Sequence, residues 1–193
     1  MRKSLIAFMV LLLMFAAGCF SQGEKGKEVT KIDPDIPPQG VKASSTTKII
    51  EINQPVIVEE FCELTLKAVE FTPVVKPPNP DSYYSYYQVE QDDVTFLHIV
   101  ANIKNLQNLA QDADSFIDIK AIYDNKYEYE GFATIEEKGG GDFTYISITS
   151  IDPLMTEVVH FLIEVPKEVE ESEDKPLGFV VTVKDEQYQY KIR

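Results

Sequence analysis

The chain of 193 residues contains no tryptophan and only two cysteines, and it has 18 Lys and Arg residues against 32 Asp and Glu. The resulting net charge of −14 leaves no basic face for phosphate groups, which argues against nucleic-acid binding. The same charge is repelled by an anionic membrane surface, so membrane attachment would need a lipid. Apolar residues still make up 44% of the chain, which is enough for a folded core and argues against general disorder.

Motifs for catalysis and metal binding are also missing. No G-x-S-x-G motif is present, and a catalytic triad would have to use His98 or His160, which both fall in the middle of predicted strands. If these strands are neighbours the two rings lie close together, but packing is the commoner role of such a pair. Asp112, Asp114 and Asp118 lack the spacing of a calcium loop, and two histidines alone do not make a zinc site. We therefore expect no enzyme activity, no cofactor and no metal site.

No apolar run is long enough for a permanent transmembrane helix. The run Leu5–Ala17 would span about 20 Å as a helix, whereas a hydrocarbon core is about 30 Å thick. It follows Arg2 and Lys3 and ends in small residues, which is the order of a secretory signal. Because Cys19 comes directly after Gly18, the segment resembles a bacterial lipoprotein signal. The resemblance implies acylation of Cys19 and a lipid anchor on the extracytoplasmic face of the cell membrane; ordinary cleavage without a lipid is the alternative.

These features divide the chain into three parts. Residues 1–18 are the predicted signal peptide, residues 19–47 the lipidated cysteine with a tether, and residues 48–193 one folded domain. The tether is rich in Gly, Ser, Thr, Lys, Glu and Pro and has no apolar periodicity, so we expect it to be disordered. A flexible chain of about 28 residues reaches about 30 Å, which would lift the domain off the bilayer.

Residues 48–193 alternate apolar and polar side chains, and no window of twelve residues shows a helical stripe. The clearest strands are Cys62–Phe71, Val94–Lys104 and Glu157–Val165, and the second is apolar on both faces, which indicates a central position in a sheet. Turn residues separate the strands, among them Asp124-Asn125, which tolerates positive φ, and the glycines at 139–141. The pattern predicts an all-β, antiparallel sandwich of seven to nine strands.

Three segments carry a family resemblance: Phe96–Asn105, Ile122–Tyr127 and Phe161–Pro166, the last ending in Val-Pro. Their order resembles the immunoglobulin-like domains of unknown function on Gram-positive surface lipoproteins, which are similar in fold to secreted immunoprotective antigens. The resemblance covers roughly residues 50–192 and implies an immunoglobulin-like sandwich, with no catalytic residues to carry over. The chain departs from this family because it lacks the usual aspartate-glycine hairpin and has Asp152-Pro153-Leu154 in place of a Gly-rich turn.

One thiol remains if Cys19 is acylated. Cys62 lies on the same predicted strand face as Leu64 and Leu66, so we expect a buried, unreactive group rather than a reactive thiol.

The candidate ligand-binding residues are four tyrosines in a proline-flanked loop: Tyr83, Tyr84, Tyr86 and Tyr87. Tyrosine offers broad contact area at low entropic cost, so such a loop suits a peptide, a glycan or another envelope protein. Alternatively, the rings cap the end of the barrel or shield an edge strand. The sequence thus predicts a non-catalytic binding module. An accessory to an envelope enzyme, or a weak cation-binding protein using the acidic loop at 168–174, is the alternative function.

Overall fold

The computed structural model describes residues 48–80 and 82–193; the predicted signal, Cys19 and the tether lie outside these residues. The described residues form fifteen strands, two single-turn 3₁₀ segments and one short helix, α1 (Lys167–Glu171). The strands are β1 (Lys48–Ile49), β2 (Pro55–Val58), β3 (Cys62–Thr72), β4 (Val74–Val75), β5 (Tyr87–Gln88), β6 (Val94–Asn105), β7 (Gln111–Asp112), β8 (Asp118–Tyr123), β9 (Tyr127–Glu130), β10 (Phe132–Glu136), β11 (Phe143–Tyr145), β12 (Ser150–Ile151), β13 (Thr156–Pro166), β14 (Leu177–Val183) and β15 (Glu186–Lys191).

Two sheets contain most of these strands. One has five strands in the order β1-β15-β14-β8-β9, and the other has six in the order β11-β10-β13-β6-β3-β2. Neighbours are antiparallel except β1 and β15, which pair in parallel. The all-β sandwich is confirmed. The described residues contain more than the seven to nine strands expected, because segments such as β1, β7 and β12 are too short to show a period of two in the sequence.

The core lies between the inner faces of the two sheets, where alternate residues of the central strands β6, β13 and β14 are buried. On β6 the buried inner residues include Leu97, Ile99 and Ile103, and on β13 they include Phe161 and Ile163. The central position predicted for Val94–Lys104 is confirmed, since β6 pairs with β13 along eleven residues and with β3 on its other side. These long pairings fix the register of the side chains that β3, β6 and β13 place on the sheet's outer face.

Cys62 lies on the inner face of β3 and is fully buried. Removal from water raises the pKa of its thiol to about 12, because burial disfavours the thiolate. The thiol is therefore protonated and free, as the sequence predicted.

Two connections between strands depend on the residue types found there. Asp124 and Asn125 have φ angles of 55° and 51° and join β8 to β9, which confirms the predicted turn. Gly131 carries the chain from β9 in one sheet to β10 in the other. A Cβ at this position would lie 2.0 Å from the carbonyl oxygen of Leu162, so only glycine fits.

Helix α1 replaces the first part of the acidic loop that the sequence predicts at 168–174. Its five residues bury Val169 against the core, a stripe too short to show as a helical period. Among the described residues no helix is long and apolar enough to cross a membrane.

Candidate functional site

Part of the outer face of the six-stranded sheet is covered by residues 73–80 and 82–91, which we call the Pro–Tyr segment. Within it, β4 and β5 form a two-stranded ribbon, and the amide of Val89 donates to the carbonyl of Pro73 at 3.1 Å. Val75 packs with the outward-facing Phe96 and Leu162 and with Phe143 in a second buried apolar cluster. The sandwich therefore has an additional apolar layer outside its core, over one part of one sheet.

The Gly-rich turn between β10 and β11 holds the Pro–Tyr segment in place. Asn79 donates its backbone amide to the carbonyl of Gly140 at 2.8 Å and its side-chain amide to the carbonyl of Gly139 at 3.0 Å. Asp142 Oδ1 accepts the backbone amide of Ser85 at 2.6 Å and that of Phe143 at 2.7 Å. These two amides hold the pKa of the Asp142 carboxyl below its usual value, because they stabilise the ionised form.

The four candidate tyrosines have different environments. Tyr83 is 92% exposed, whereas Tyr86 is 55% exposed and Tyr84 is half-buried, with the last two rings 6.3 Å apart. Tyr87 is also half-buried: its ring lies 5.0 Å from that of Phe132, and its hydroxyl is 3.2 Å from the Thr134 hydroxyl. Tyr87 thus packs on the sheet, while Tyr83 and Tyr86 face solvent.

A cleft of about 310 Å³ opens beside these rings, between the Pro–Tyr segment and the edge of the apolar layer. We call it the aromatic cleft, and its lining is Tyr86, Tyr87, Gln88, Glu90, Gln91, Val94, Phe96, Phe132 and Glu164. Four of these residues are aromatic and two are carboxylates, and none of the described lining residues is Lys or Arg. Aromatic faces and carboxylates both attract cations, so the chemistry of the cleft suits a positively charged group.

Two histidines lie on the same outer face, next to the Pro–Tyr segment. His98 on β6 and His160 on β13 are each 5% exposed, and His98 Nε2 lies 2.8 Å from His160 Nδ1. The sequence predicts this closeness only if the two strands are neighbours, and β6 and β13 are paired. The two ring planes are inclined by only 17° and their centroids are 5.0 Å apart, and Phe143 packs edge-on against His160.

Each histidine also contacts a carboxylate that the sequence did not single out. His98 Nδ1 lies 3.0 Å from Glu70 Oε1 on β3, and His160 Nε2 lies 2.7 Å from Glu136 Oε1 on β10. We call this row of four side chains the Glu–His–His–Glu chain. It crosses four adjacent strands, which appear in the sequence in the order β3, β6, β10 and β13. No single sequence window contains the pattern, so only strand pairing could have revealed it.

Burial lowers the pKa of His98, because the imidazolium is disfavoured away from water. The neighbouring Glu70 carboxylate acts in the opposite direction, and the charge of His160 adds to the lowering.

No group of three or more His, Cys, Asp and Glu side chains in residues 48–80 and 82–193 is placed to hold a metal ion. In the acidic segment, Glu168 pairs with Lys175 at 2.9 Å.

Comparison with solved structures identifies two similar chains. An uncharacterized β-sandwich protein from Clostridium difficile 630, known from a crystal structure, aligns with 76% of this chain and 95% of its own, at 33% identity and a TM-score of 0.70. The chain belongs to the family of this β-sandwich protein. A conserved hypothetical protein from Bacillus anthracis aligns with 75% of this chain and 95% of its own, at 19% identity and a TM-score of 0.51, which shows the fold alone. No protein-family model and no curated protein matches the sequence.

Proposed function

We propose that this protein is a lipid-anchored, extracytoplasmic binding module whose aromatic cleft takes a basic segment of another envelope polypeptide without catalysis. The observation that supports this most directly is the lining of the cleft. Tyr86, Tyr87, Phe96 and Phe132 offer ring faces and edges beside the carboxylates of Glu90 and Glu164. A Lys or Arg side chain would meet both kinds of group at once.

The charge of the whole chain supports the same choice of partner. A net charge of −14 attracts a basic segment from a distance and repels acidic polymers. The exposed Tyr86 ring gives contact area without first having to be uncovered, since it is 55% exposed. A glycan would use the aromatic rings but would gain little from Glu90 and Glu164 as anions.

The proposed anchor is supported by sequence alone: a charged start, a short apolar run, and Cys19 after small residues. Mass spectrometry of the protein purified from membranes should find a new N-terminus at Cys19 carrying acyl chains. A Cys19→Ala variant should leave the membrane fraction, whereas a Cys62→Ala variant should remain there. An unmodified N-terminus, or full-length precursor in the cytosol, would contradict the anchor without affecting the cleft.

The cleft can be tested with two peptides of opposite charge, tetralysine and tetraglutamate, and isothermal titration calorimetry. Tetralysine should bind, and binding should weaken with added salt, whereas tetraglutamate should not bind. Tyr86→Ser should weaken tetralysine binding about tenfold, the size of a cation–π contact of about 1.4 kcal/mol. Tyr83→Ser is the matched control, because Tyr83 belongs to the same loop but does not line the cleft. Equal binding of both peptides, or equal effects of both substitutions, would refute the proposal.

A further inference from the structure

The Glu–His–His–Glu chain has a geometry that fixes how many protons it holds. Its three contacts join Glu70 to His98, His98 to His160, and His160 to Glu136, at 3.0, 2.8 and 2.7 Å. Each distance is that of a hydrogen bond, and each bond needs one hydrogen between its two heavy atoms. Two neutral imidazoles supply two hydrogens and two carboxylates supply none. Three bonds therefore require one additional proton.

We propose that Glu70, His98, His160 and Glu136 form a site for a single proton, shared by the two imidazoles and balanced by the two carboxylates. Removing that proton would leave two lone pairs facing each other across one of the three contacts. Adding a second proton would place two N–H groups against each other between His98 and His160, which are only 2.8 Å apart. Only the one-proton state satisfies all three contacts, so the site resists a change of charge in both directions.

Among the arrangements with three hydrogens, one places the charged ring beside the less exposed of the two carboxylates, Glu136. In it, His98 is neutral, donates from Nδ1 to Glu70 and accepts at Nε2 from His160, and His160 is an imidazolium that also donates to Glu136. This assignment is consistent with the direction in which burial moves the pKa of His98, which is downward. A lowered pKa in the folded state means that His98 favours folding above about pH 6.5, its unfolded value, and that this contribution is lost as pH falls through the lower folded value.

The ionisable groups that contact the two rings from neighbouring strands are carboxylates. On the flanking strands the facing carboxylates are Glu70 of β3 and Glu136 of β10, and the β11 side is covered by the ring of Phe143. Glu164, which faces outward farther along β13, lines the aromatic cleft. Glu70 has a side chain that is 60% exposed, whereas that of Glu136 is 18% exposed. Glu70 is therefore the natural entry point for a proton from solvent.

The site also contacts the layer above it. His160 packs against Phe143 at 5.0 Å, and Phe143 packs against Tyr87, a wall of the aromatic cleft, at 5.8 Å. Thr134, which bonds to Tyr87, is paired with His160 in the β10–β13 register. A change of protonation would thus reach the cleft through two successive ring contacts. This coupling to ligand binding rests on the proposed function, whereas the proton site itself does not.

The proton count is measurable by nuclear magnetic resonance, because His98 and His160 are the only histidines in the chain. The sandwich is suitable for this experiment without the preceding residues: the described residues have a hydrophobic core of their own, and the homologous C. difficile chain is covered to 95% by the aligned region. Imidazole ¹⁵N shifts should show one imidazolium and one neutral ring protonated at Nδ1. The second protonation should occur well below pH 6.5. Two rings that titrate together near pH 6.5, or stay neutral at every pH above about 5, would overturn the proposal.

Two variants distinguish the effect of the Glu136 carboxylate on the protonation of the rings from a general loss of stability. Glu136→Gln removes the negative charge beside His160 and should lower the pH at which the first proton is released by about one unit or more. Glu128→Gln is the matched control, because Glu128 bonds to Lys120 in the other sheet and should leave both rings unchanged. Micromolar Zn²⁺ should also leave both rings unchanged; zinc-dependent shifts of both would replace the proton site by a metal site and overturn the proposal.

The coupling has its own readout, the affinity for tetralysine across the pH range in which the rings titrate. Affinity should change by about tenfold between the two protonation states in the wild-type domain and much less in Glu136→Gln. A one-proton site with constant tetralysine affinity would refute the coupling alone. Absence of tetralysine binding at every pH would refute the proposed function and leave the proton site standing on the ¹⁵N shifts.

Discussion

The two faces of the six-stranded sheet are buried in different ways. The inner face carries aliphatic and aromatic residues such as Leu64, Ile99 and Ile163, which meet the other sheet in the core. The outer face buries His98 and His160 among aromatic rings under the Pro–Tyr segment. Both faces contain buried residues, but the buried imidazoles, which need hydrogen-bond partners of defined geometry, lie on the outer one.

This difference separates the part of the fold that many sequences could form from the part that needs the particular residues of this chain. An apolar core tolerates many sequences of suitable size, because hydrophobic burial has no direction. Buried imidazoles require hydrogen bonds of defined geometry, since an unpaired polar group away from water costs about 1–3 kcal/mol. Chemistry specific to this protein is therefore expected on the outer face.

The largest expected change in the free energy of unfolding is found by comparing two neighbouring residues of β6, Ile99 and Val100, whose side chains point to opposite faces of the sheet. Ile99→Ala removes a fully buried inner side chain and should destabilise the domain by about 2–5 kcal/mol, from lost burial and the cavity left behind. Val100→Ala, on the outer face and only partly buried, should cost about 1 kcal/mol or less. Urea unfolding at neutral pH measures both. Equal costs would mean that the outer face is as tightly packed at this point as the core.

Much of the inner face could be predicted from the sequence. Alternation along Val94–Lys104 and Glu157–Val165 depends only on a period of two and on burial, which are local properties of the chain. The buried thiol of Cys62 is predicted for the same reason, and the Asp124-Asn125 turn is predicted from the tolerance of these two residues for positive φ. The short strands and α1 were not, because two to five residues contain too little periodicity, and tertiary contacts decide their conformation.

The candidate site on the outer face could be predicted only in part. The tyrosines were visible as a cluster, but nothing in the sequence distinguishes Tyr87, which packs on the sheet, from Tyr83, which does not. Glu70 and Glu136 are ordinary acidic residues in an acidic chain. Their role depends on which strands pair and in which register, and pairing is a long-range property that alternation does not encode.

A smaller effect is expected at the turn that holds the Pro–Tyr segment. Gly139 and Gly140 both have positive φ, of 94° and 71°, so alanine at either position strains the backbone by about 1 kcal/mol. Only at Gly140 would the new Cβ also clash, lying 2.6 Å from Pro78 Cγ. Gly140→Ala should therefore destabilise the domain more than Gly139→Ala and should increase amide exchange at Asn79. If the two variants behave alike, the turn does not fix the Pro–Tyr segment through Pro78.

The smallest effect is expected at Asp142, which joins the same turn to Ser85. The folded state lowers the pKa of this carboxyl, so its contribution to stability is present above about pH 4 and is lost as pH falls through the lower folded value. Asn at this position keeps an acceptor oxygen but not the charge, so Asp142→Asn should be slightly less stable than wild type near neutral pH. The difference should vanish near pH 2, where both side chains are neutral. Asp152→Asn is a suitable control, because Asp152 is exposed in a turn before β13. A pH-independent difference in urea midpoint would show that Asp142 acts through its shape and not through its charge. The Pro–Tyr segment would then be held at this point by packing, as the inner face is.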